Sequence, residues 1–325
     1  MKKLWSMIKS NPEVTGYVIL ALLIFGACFL PELLWVVSVY ALLFAFFLRN
    51  EFKIAGLILF LSPFYTVIKF PTVGFVLNGD DIWFSLFNFI VIILQIFIIL
   101  IYILRLINKE IKLNIKLLIP LILLLIYILF PIHNVNLDEF IILFFEYLSL
   151  YVLFATKTKI NILYLVRTLS IGIILSCILS LYYKFSDFLF NNLAFHFSET
   201  GILRFQGLTS HSMHLAALTM LDICLLLFIK VNQKIKNMEF YLYFIMVFMF
   251  GYLSISRAFM ITVGFAVGLF ILFCFMRYRS RSLKSIITIL SIIAIIILIF
   301  FDITKTYFIR FNTYYEPWVP ANESE

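Results

Sequence analysis

Charge is scarce in this chain. Asp, Glu, Lys and Arg make up 13% of it, against roughly 25% in a soluble domain. That shortage, with 64% apolar or aromatic residues, excludes a soluble globular protein, a disordered tail and a fibrous repeat. Cysteine is sparse too, and none of Cys28, Cys177, Cys224 and Cys274 forms a CxxC pair. All four lie inside apolar runs, so they read as small buried hydrophobes and not as a redox or metal motif. No repeat of about 20–50 residues and no low-complexity linker is present. Alternating strands of about ten residues, the mark of a membrane barrel, are missing as well.

What the chain does have is long, solid apolar runs. A spanning helix needs about 20 such residues to cross roughly 30 Å of hydrocarbon. The apolar 64% of 325 residues therefore supports about eleven spans, with little left for a soluble domain. The fold class expected is an all-α polytopic membrane protein. Spans are predicted at 15–30, 33–48, 54–70, 83–104, 117–132, 139–155, 163–183, 213–229, 239–255, 259–276 and 285–301. Residues 1–301 then form a single transmembrane helical domain, and 302–325 an extracytoplasmic tail.

The basic residues sort by side on this scheme. Clusters at 2–9, 49–53, 105–116, 157–167, 230–236 and 277–284 hold nineteen of the 25. Lys69, Lys184, Arg204, Arg257, Lys305 and Arg310 fall on the other side. Cytoplasmic loops carry the excess of Lys and Arg, so the N-terminus is expected inside and the C-terminus outside. The net charge of +8 is accounted for as a topology signal, and nucleic acid is not an expected partner. The lysine-led N-terminus resembles a signal peptide, but no small-residue cleavage site follows and the chain goes on spanning. Between Lys236 and Arg277 the chain is almost wholly apolar. A straight helix of that length would run about 60 Å, twice the hydrocarbon thickness. The segment must turn back near its midpoint, which places Ser254-Ile255-Ser256-Arg257-Ala258 in a tight outer turn.

Against an outer face poor in basic residues, Arg204 and Arg257 stand out. Their planar, bidentate donors suit phosphate oxygens, and a pyrophosphate whose lipid tail stays in the bilayer would sit between them. The competing reading is snorkelling, topology or a local ion pair. His211 and His214 share a helix face at the start of the eighth span. They suit sugar hydroxyls, phosphate or base catalysis, or simple interfacial capping, and make a weak metal site. His196 and His133 read as solvated loop residues. Asp222 and Glu146 lie deep in spans, where charge is costly and normally faces the bundle interior. They read as structural partners first, then as polar groups of a groove or a proton-coupling pair. Asp80 and Asp81 follow Asn78-Gly79 and read as a solvated turn or a paired-carboxylate site. Tyr and Trp near span ends, including Tyr314 and Trp318, form an aromatic belt.

At these residues the chain resembles a known family. Arg204-x-x-Gly207-x-x-x-His211, running into a span with Ala216 and Ala217, is similar to a motif of the O-antigen ligase and polymerase superfamily. The Ser256-Arg257-Ala258 turn two spans later is similar to another. The resemblance covers roughly 160–311. It implies a GT-C-like fold and an enzyme of the bacterial cytoplasmic (inner) membrane, active face outward. Such an enzyme transfers a glycan from undecaprenyl pyrophosphate to an acceptor hydroxyl, with a lipid-linked repeat unit or lipid A core as acceptor. It implies Arg204 and Arg257 as pyrophosphate ligands and His211 or His214 as the proton acceptor. No metal or cofactor is implied. Implied partners are the lipid-linked oligosaccharide, the glycan acceptor, the bilayer, and a chain-length regulator or flippase. Two departures stand out. Ser212-Met213 follows the His where the family often has Pro-Asn. The family's large outer loop would open at Arg310-Phe311-Asn312, and a chain ending at Glu325 is expected to be an N-terminal portion, with a truncated, non-catalytic fragment as one alternative. A lipid-linked oligosaccharide flippase is the other alternative, motivated by Asp222 and Glu146, although no paired Gly/Pro breaks mark two transporter halves.

Overall fold

The computed structural model describes residues 11–30, 32–68, 72–77, 80–111, 137–155, 161–183, 195–197, 203–209, 211–232, 235–277 and 282–300, with the isolated positions 119, 122, 126 and 305. A helix occupies each predicted span except 117–132, which lies outside the described residues apart from its helical positions 119, 122 and 126. The predicted tail 302–325 lies outside them too, apart from Lys305, as do His133 and the Tyr314–Trp318 stretch.

The helices are α1 (Pro12–Phe29), α2 (Leu33–Leu48), α3 (Glu51–Leu61), the short α4 (Tyr65–Ile68), α5 (Leu86–Ile107), α6 (Leu137–Ala155), α7 (Ile162–Tyr183), α8 (Ser212–Val231), α9 (Asn237–Leu253), α10 (Arg257–Arg277) and α11 (Ser282–Ile299). Two antiparallel hairpins interrupt them: β1 (Thr72–Leu77) with β2 (Asp80–Ser85), and β3 (Phe195–Phe197) with β4 (Leu203–Phe205). Among the described residues, five helices are long and apolar enough to cross a membrane: α1, α5, α8 and the larger parts of α7 and α10. Shorter apolar helices fill in between them. The outward faces are apolar as well, with Leu22, Leu43, Phe46, Phe154, Phe265 and Leu298 each more than 60% exposed. A water-facing surface would not tolerate that pattern, whereas lipid requires it. The chain is a multi-pass helical membrane protein.

Local chemistry sets the helix starts. Pro12 occupies the first turn of α1, where its missing N–H costs nothing. The Asn50 side chain accepts from the Phe52 and Lys53 amides and opens α3. Ser85 Oγ accepts from Asn88 N at 3.2 Å and opens α5. These side chains satisfy amides that lipid cannot.

The predicted span 54–70 is corrected. It is broken by a 3₁₀ turn at Ser62–Phe64, since Pro63 has no N–H to continue the ladder. The start of the predicted span 83–104 is also corrected, because residues 83–85 belong to β2. Asp80 and Asp81 open that strand, opposite Leu77 and Val76, and so do not sit in a turn.

Buried side chains form two large cores, one uniting α1 to α6 and the other α7 to α11, and a small third around Ile92 between α5 and α6. Helix α7 joins the two large cores, since Leu165 and Leu175 pack on the first and Leu169 and Ile173 belong to the second. The α3–α7 seam is close enough that a Cβ on Gly172 would lie 2.6 Å from the Phe60 carbonyl oxygen. Beside it, Ser176 Oγ donates to the Pro63 carbonyl at 2.8 Å, which satisfies an acceptor that the 3₁₀ break leaves open. In the second core, Phe240, Phe244, Phe248 and Tyr252 stack in one column, centroids 5.7–6.1 Å apart. Their spacing of four residues puts all four rings on one face of α9.

The two ends of the bundle differ in chemistry. The Lys53–Glu13 ion pair joins the starts of α1 and α3. Arg105 Nη1 lies 2.9 Å from the fully buried Glu51. Arg167 Nε and Nη2 donate to Glu239 at 2.5 and 2.9 Å, tying the starts of α7 and α9. Every ion pair between helices of the described residues lies at this end. The hairpins, α4 and the α9–α10 turn lie at the other.

Candidate functional site

The hairpin end gathers four of the residues singled out from the sequence. Arg204 sits in β4 opposite His196 of β3. The residue after it, Phe205, is 1% exposed and stacks on Phe250 of α9 with centroids 5.8 Å apart. The chain then dips into the bundle, and Gln206, Gly207, Leu208 and Thr209 are all buried. An irregular buried segment must satisfy its own backbone. Here Thr209 does so, its N–H donating to the Gln206 carbonyl at 3.2 Å and its Oγ1 lying 2.7 Å from the same oxygen. Gly207 adopts φ +61°, and a Cβ there would lie 3.3 Å from Cys177 Sγ of α7. Only glycine meets both conditions without strain.

His211 caps α8, its Nδ1 accepting from Met213 N at 3.2 Å. That bond assigns the proton of the neutral ring to Nε2, which makes the second ring nitrogen a donor and not a base. His214 is half-buried and sits edge-on to Tyr65 of α4, centroids 6.2 Å apart. Tyr65 in turn meets Phe87 at 5.1 Å. Tyr65 carried no signal in the sequence, because its contact with His214 is made between distant segments.

Arg257 opens α10, as the turn-back argument requires. The turn is built by Ser254 Oγ donating to the Gly251 carbonyl at 2.6 Å and by Ser256 Oγ accepting from Phe259 N at 3.4 Å. Ile255 holds φ 51°, a left-handed conformation that costs a side-chain-bearing residue about 1–2 kcal/mol. It is 4% exposed, so packing holds it there. Phe250 lies one turn before Ser254, and Arg204 and Arg257 therefore flank the Phe205–Phe250 stack along the chain.

Asp222 and Glu146 are not brought together. Asp222 is fully buried on α8, with Oδ2 accepting from Ser170 Oγ of α7 at 2.7 Å. Its buried Oδ1 has no hydrogen-bond partner among the described residues. Glu146 lies on the exposed face of α6. Among the described residues no three His, Cys, Asp or Glu side chains cluster as metal ligands. Cys28, Cys177 and Cys274 are buried free thiols and Cys224 is half-buried. Comparison with known family models, with curated proteins and with solved structures finds no match to this chain.

Proposed function

We propose that the chain spans the cytoplasmic membrane eleven times in a GT-C-like arrangement, with the ion-paired end inside, and that its hairpin end binds a polyprenyl-pyrophosphate-linked glycan at the outer leaflet. The activity proposed is glycan transfer, by a polysaccharide polymerase or ligase of the O-antigen type. The carrying observation is the buried Phe205–Phe250 stack, which fixes the strand holding Arg204 against the helix that leads into Arg257 at the end opposite the ion pairs. A guanidinium group suits phosphate oxygens in charge and in the geometry of its donors.

In such a transfer the acceptor hydroxyl oxygen bonds to the anomeric carbon. The bond from that carbon to the pyrophosphate oxygen breaks, and the diphosphate leaves with the electron pair. Arg204 and Arg257 stabilise that developing charge. His211, with Nδ1 engaged by the Met213 amide, suits donation to a phosphate oxygen. The hydroxyl proton then falls to His214. The test is to replace Arg204 and Arg257 singly by Ala and to score surface glycan length, with membrane expression verified. Collapse of the chain-length ladder in both is expected, and normal ladders would overturn the reading.

A second reading, a lipid-linked oligosaccharide flippase, rests on Asp222 alone, a carboxyl group buried at mid-depth with one oxygen left without a hydrogen bond among the described residues. Vesicles whose lipid flipping is abolished by Asp222→Asn, with both arginine variants unaffected, would favour it.

A further inference from the structure

A cavity of about 540 Å³ lies between α1 and α7, at the ion-paired end and away from the hairpin site. Its volume is that of an ordinary ligand pocket, roughly 300–1,000 Å³. The wall is graded. Asn11, Glu13 and Arg167 line one end. Beside them Tyr17 and Tyr164 share a hydroxyl–hydroxyl hydrogen bond of 2.9 Å. Apart from Thr168, the rest of the wall is apolar, with Val14, Val18, Ala21 and Leu22 on α1, Ile171 and Leu175 on α7, and Phe60 behind.

Three features fix the kind of molecule that fits. The first is depth. From Glu13 to Leu22 on α1, and from Arg167 to Leu175 on α7, the helices rise about 12–14 Å. That is less than half of the ~30 Å hydrocarbon core. The cavity is one leaflet deep, so it holds a molecule belonging to one leaflet and provides no path across. The second is the opening. Val14, Val18 and Leu22 of α1 are 46%, 39% and 64% exposed, so the apolar part opens sideways to the acyl chains. The third is charge. Glu13 and Arg167 put one carboxylate and one guanidinium at the same mouth. Lys53 approaches Glu13 through Oε1, and Glu239 engages Arg167 through Nε and Nη2. Glu13 Oε2 and Arg167 Nη1 stand outside those pairs.

We infer that this cavity binds one zwitterionic glycerophospholipid of the ethanolamine class as a resident lipid. The ammonium donates to Glu13 and the phosphate accepts from Arg167. The two tyrosines hold two hydroxyl protons and spend one on their mutual bond. The other is donated to an ester carbonyl, and an acyl chain follows Val18, Ala21 and Ile171. An anionic head without an amine brings no donor to Glu13 Oε2, the oxygen outside the Lys53 pair. A choline head brings charge but no N–H. Of these three heads, ethanolamine supplies both halves.

The test uses the full chain, purified in detergent, stripped of lipid and titrated separately with phosphatidylethanolamine, phosphatidylcholine and phosphatidylglycerol of the same acyl chains. Bound lipid is counted by native mass spectrometry. A charge-assisted hydrogen bond corresponds to about a tenfold preference, so wild type is expected to retain phosphatidylethanolamine about tenfold better than either other lipid. Glu13→Gln is expected to erase that preference while still binding lipid. Leu22→Trp, at an exposed position on the cavity wall, is expected to lower retention of all three. Equal retention of the three lipids by wild type would overturn the inference. So would an undiminished preference in Glu13→Gln, or undiminished retention in a folded Leu22→Trp chain.

Discussion

Phe205 of the second hairpin lies on Phe250 of α9 with its ring 23° from parallel, and both rings are buried. Stacked aromatic pairs contribute about 0.5–1.5 kcal/mol beyond the area they cover. Here the stack also decides where Arg204 stands. Phe205→Ala is expected to cost roughly 3–5 kcal/mol, the usual range for a buried phenylalanine. Thermal unfolding in detergent measures it. Phe205→Leu should cost clearly less and keep more of the Arg204-dependent activity, since it fills much of the same space.

Gly207→Ala combines two penalties, the left-handed backbone and the approach to Cys177 Sγ. The backbone part is about 1–2 kcal/mol. Cys177→Ala opens space, so the double variant should recover the contact part but not the backbone part. A double-mutant cycle on midpoint temperatures separates them. Full recovery in the double variant would mean that φ +61° carries no cost here.

The Ser170–Asp222 bond predicts an asymmetry between two small changes. Ser170→Ala removes the hydroxyl that holds Asp222 Oδ2 and leaves a buried carboxyl with no donor among the described residues. The expected loss is about 1–3 kcal/mol. Asp222→Asn keeps the volume, drops the titratable group and can still accept from Ser170. It should be the milder change, and urea unfolding in mild detergent compares the two.

Sidedness is testable without activity. In a chain with Cys28, Cys177, Cys224 and Cys274 replaced by Ala, single cysteines at 204 and 257 should react with an impermeant maleimide from outside intact cells. A cysteine at 239, beside the start of α9, should react only after lysis. Labelling of 204 or 257 from the inside would overturn the orientation proposed above.

The helical framework was legible because lipid imposes a length, and solid apolar runs register that length directly. The turn before Arg257 was legible for the same reason, since the run from Lys236 to Arg277 is too long to be one helix. What stayed hidden depended on contacts between distant residues. Residues 205–209 read as part of an outer loop, yet Phe205 and Leu208 are each 1% exposed. Phe205 is buried against Phe250 and Leu208 within the first core, not by neighbours in sequence. The break at Pro63 was visible as a proline, but its satisfaction by Ser176 was not. Asp222 and Glu146 looked alike as deep charges. Only the packing of α7 on α8 makes the first a buried, bonded group and leaves the second on an exposed face.

The Ser176–Pro63 hydrogen bond joins residues 113 positions apart. At a synthesis rate of about 5–20 residues per second, the ribosome takes about 6–23 s to cover that distance. Helix α3 has 11 residues, about 17 Å of helix, too little to cross a bilayer unaided. Arg105 emerges first and can meet Glu51, but the Pro63 carbonyl and the groove at Phe60 wait for α7. The first half of the chain is thus completed by the second, and a nascent chain stalled before α7 would sit in the insertion machinery as an unfinished bundle.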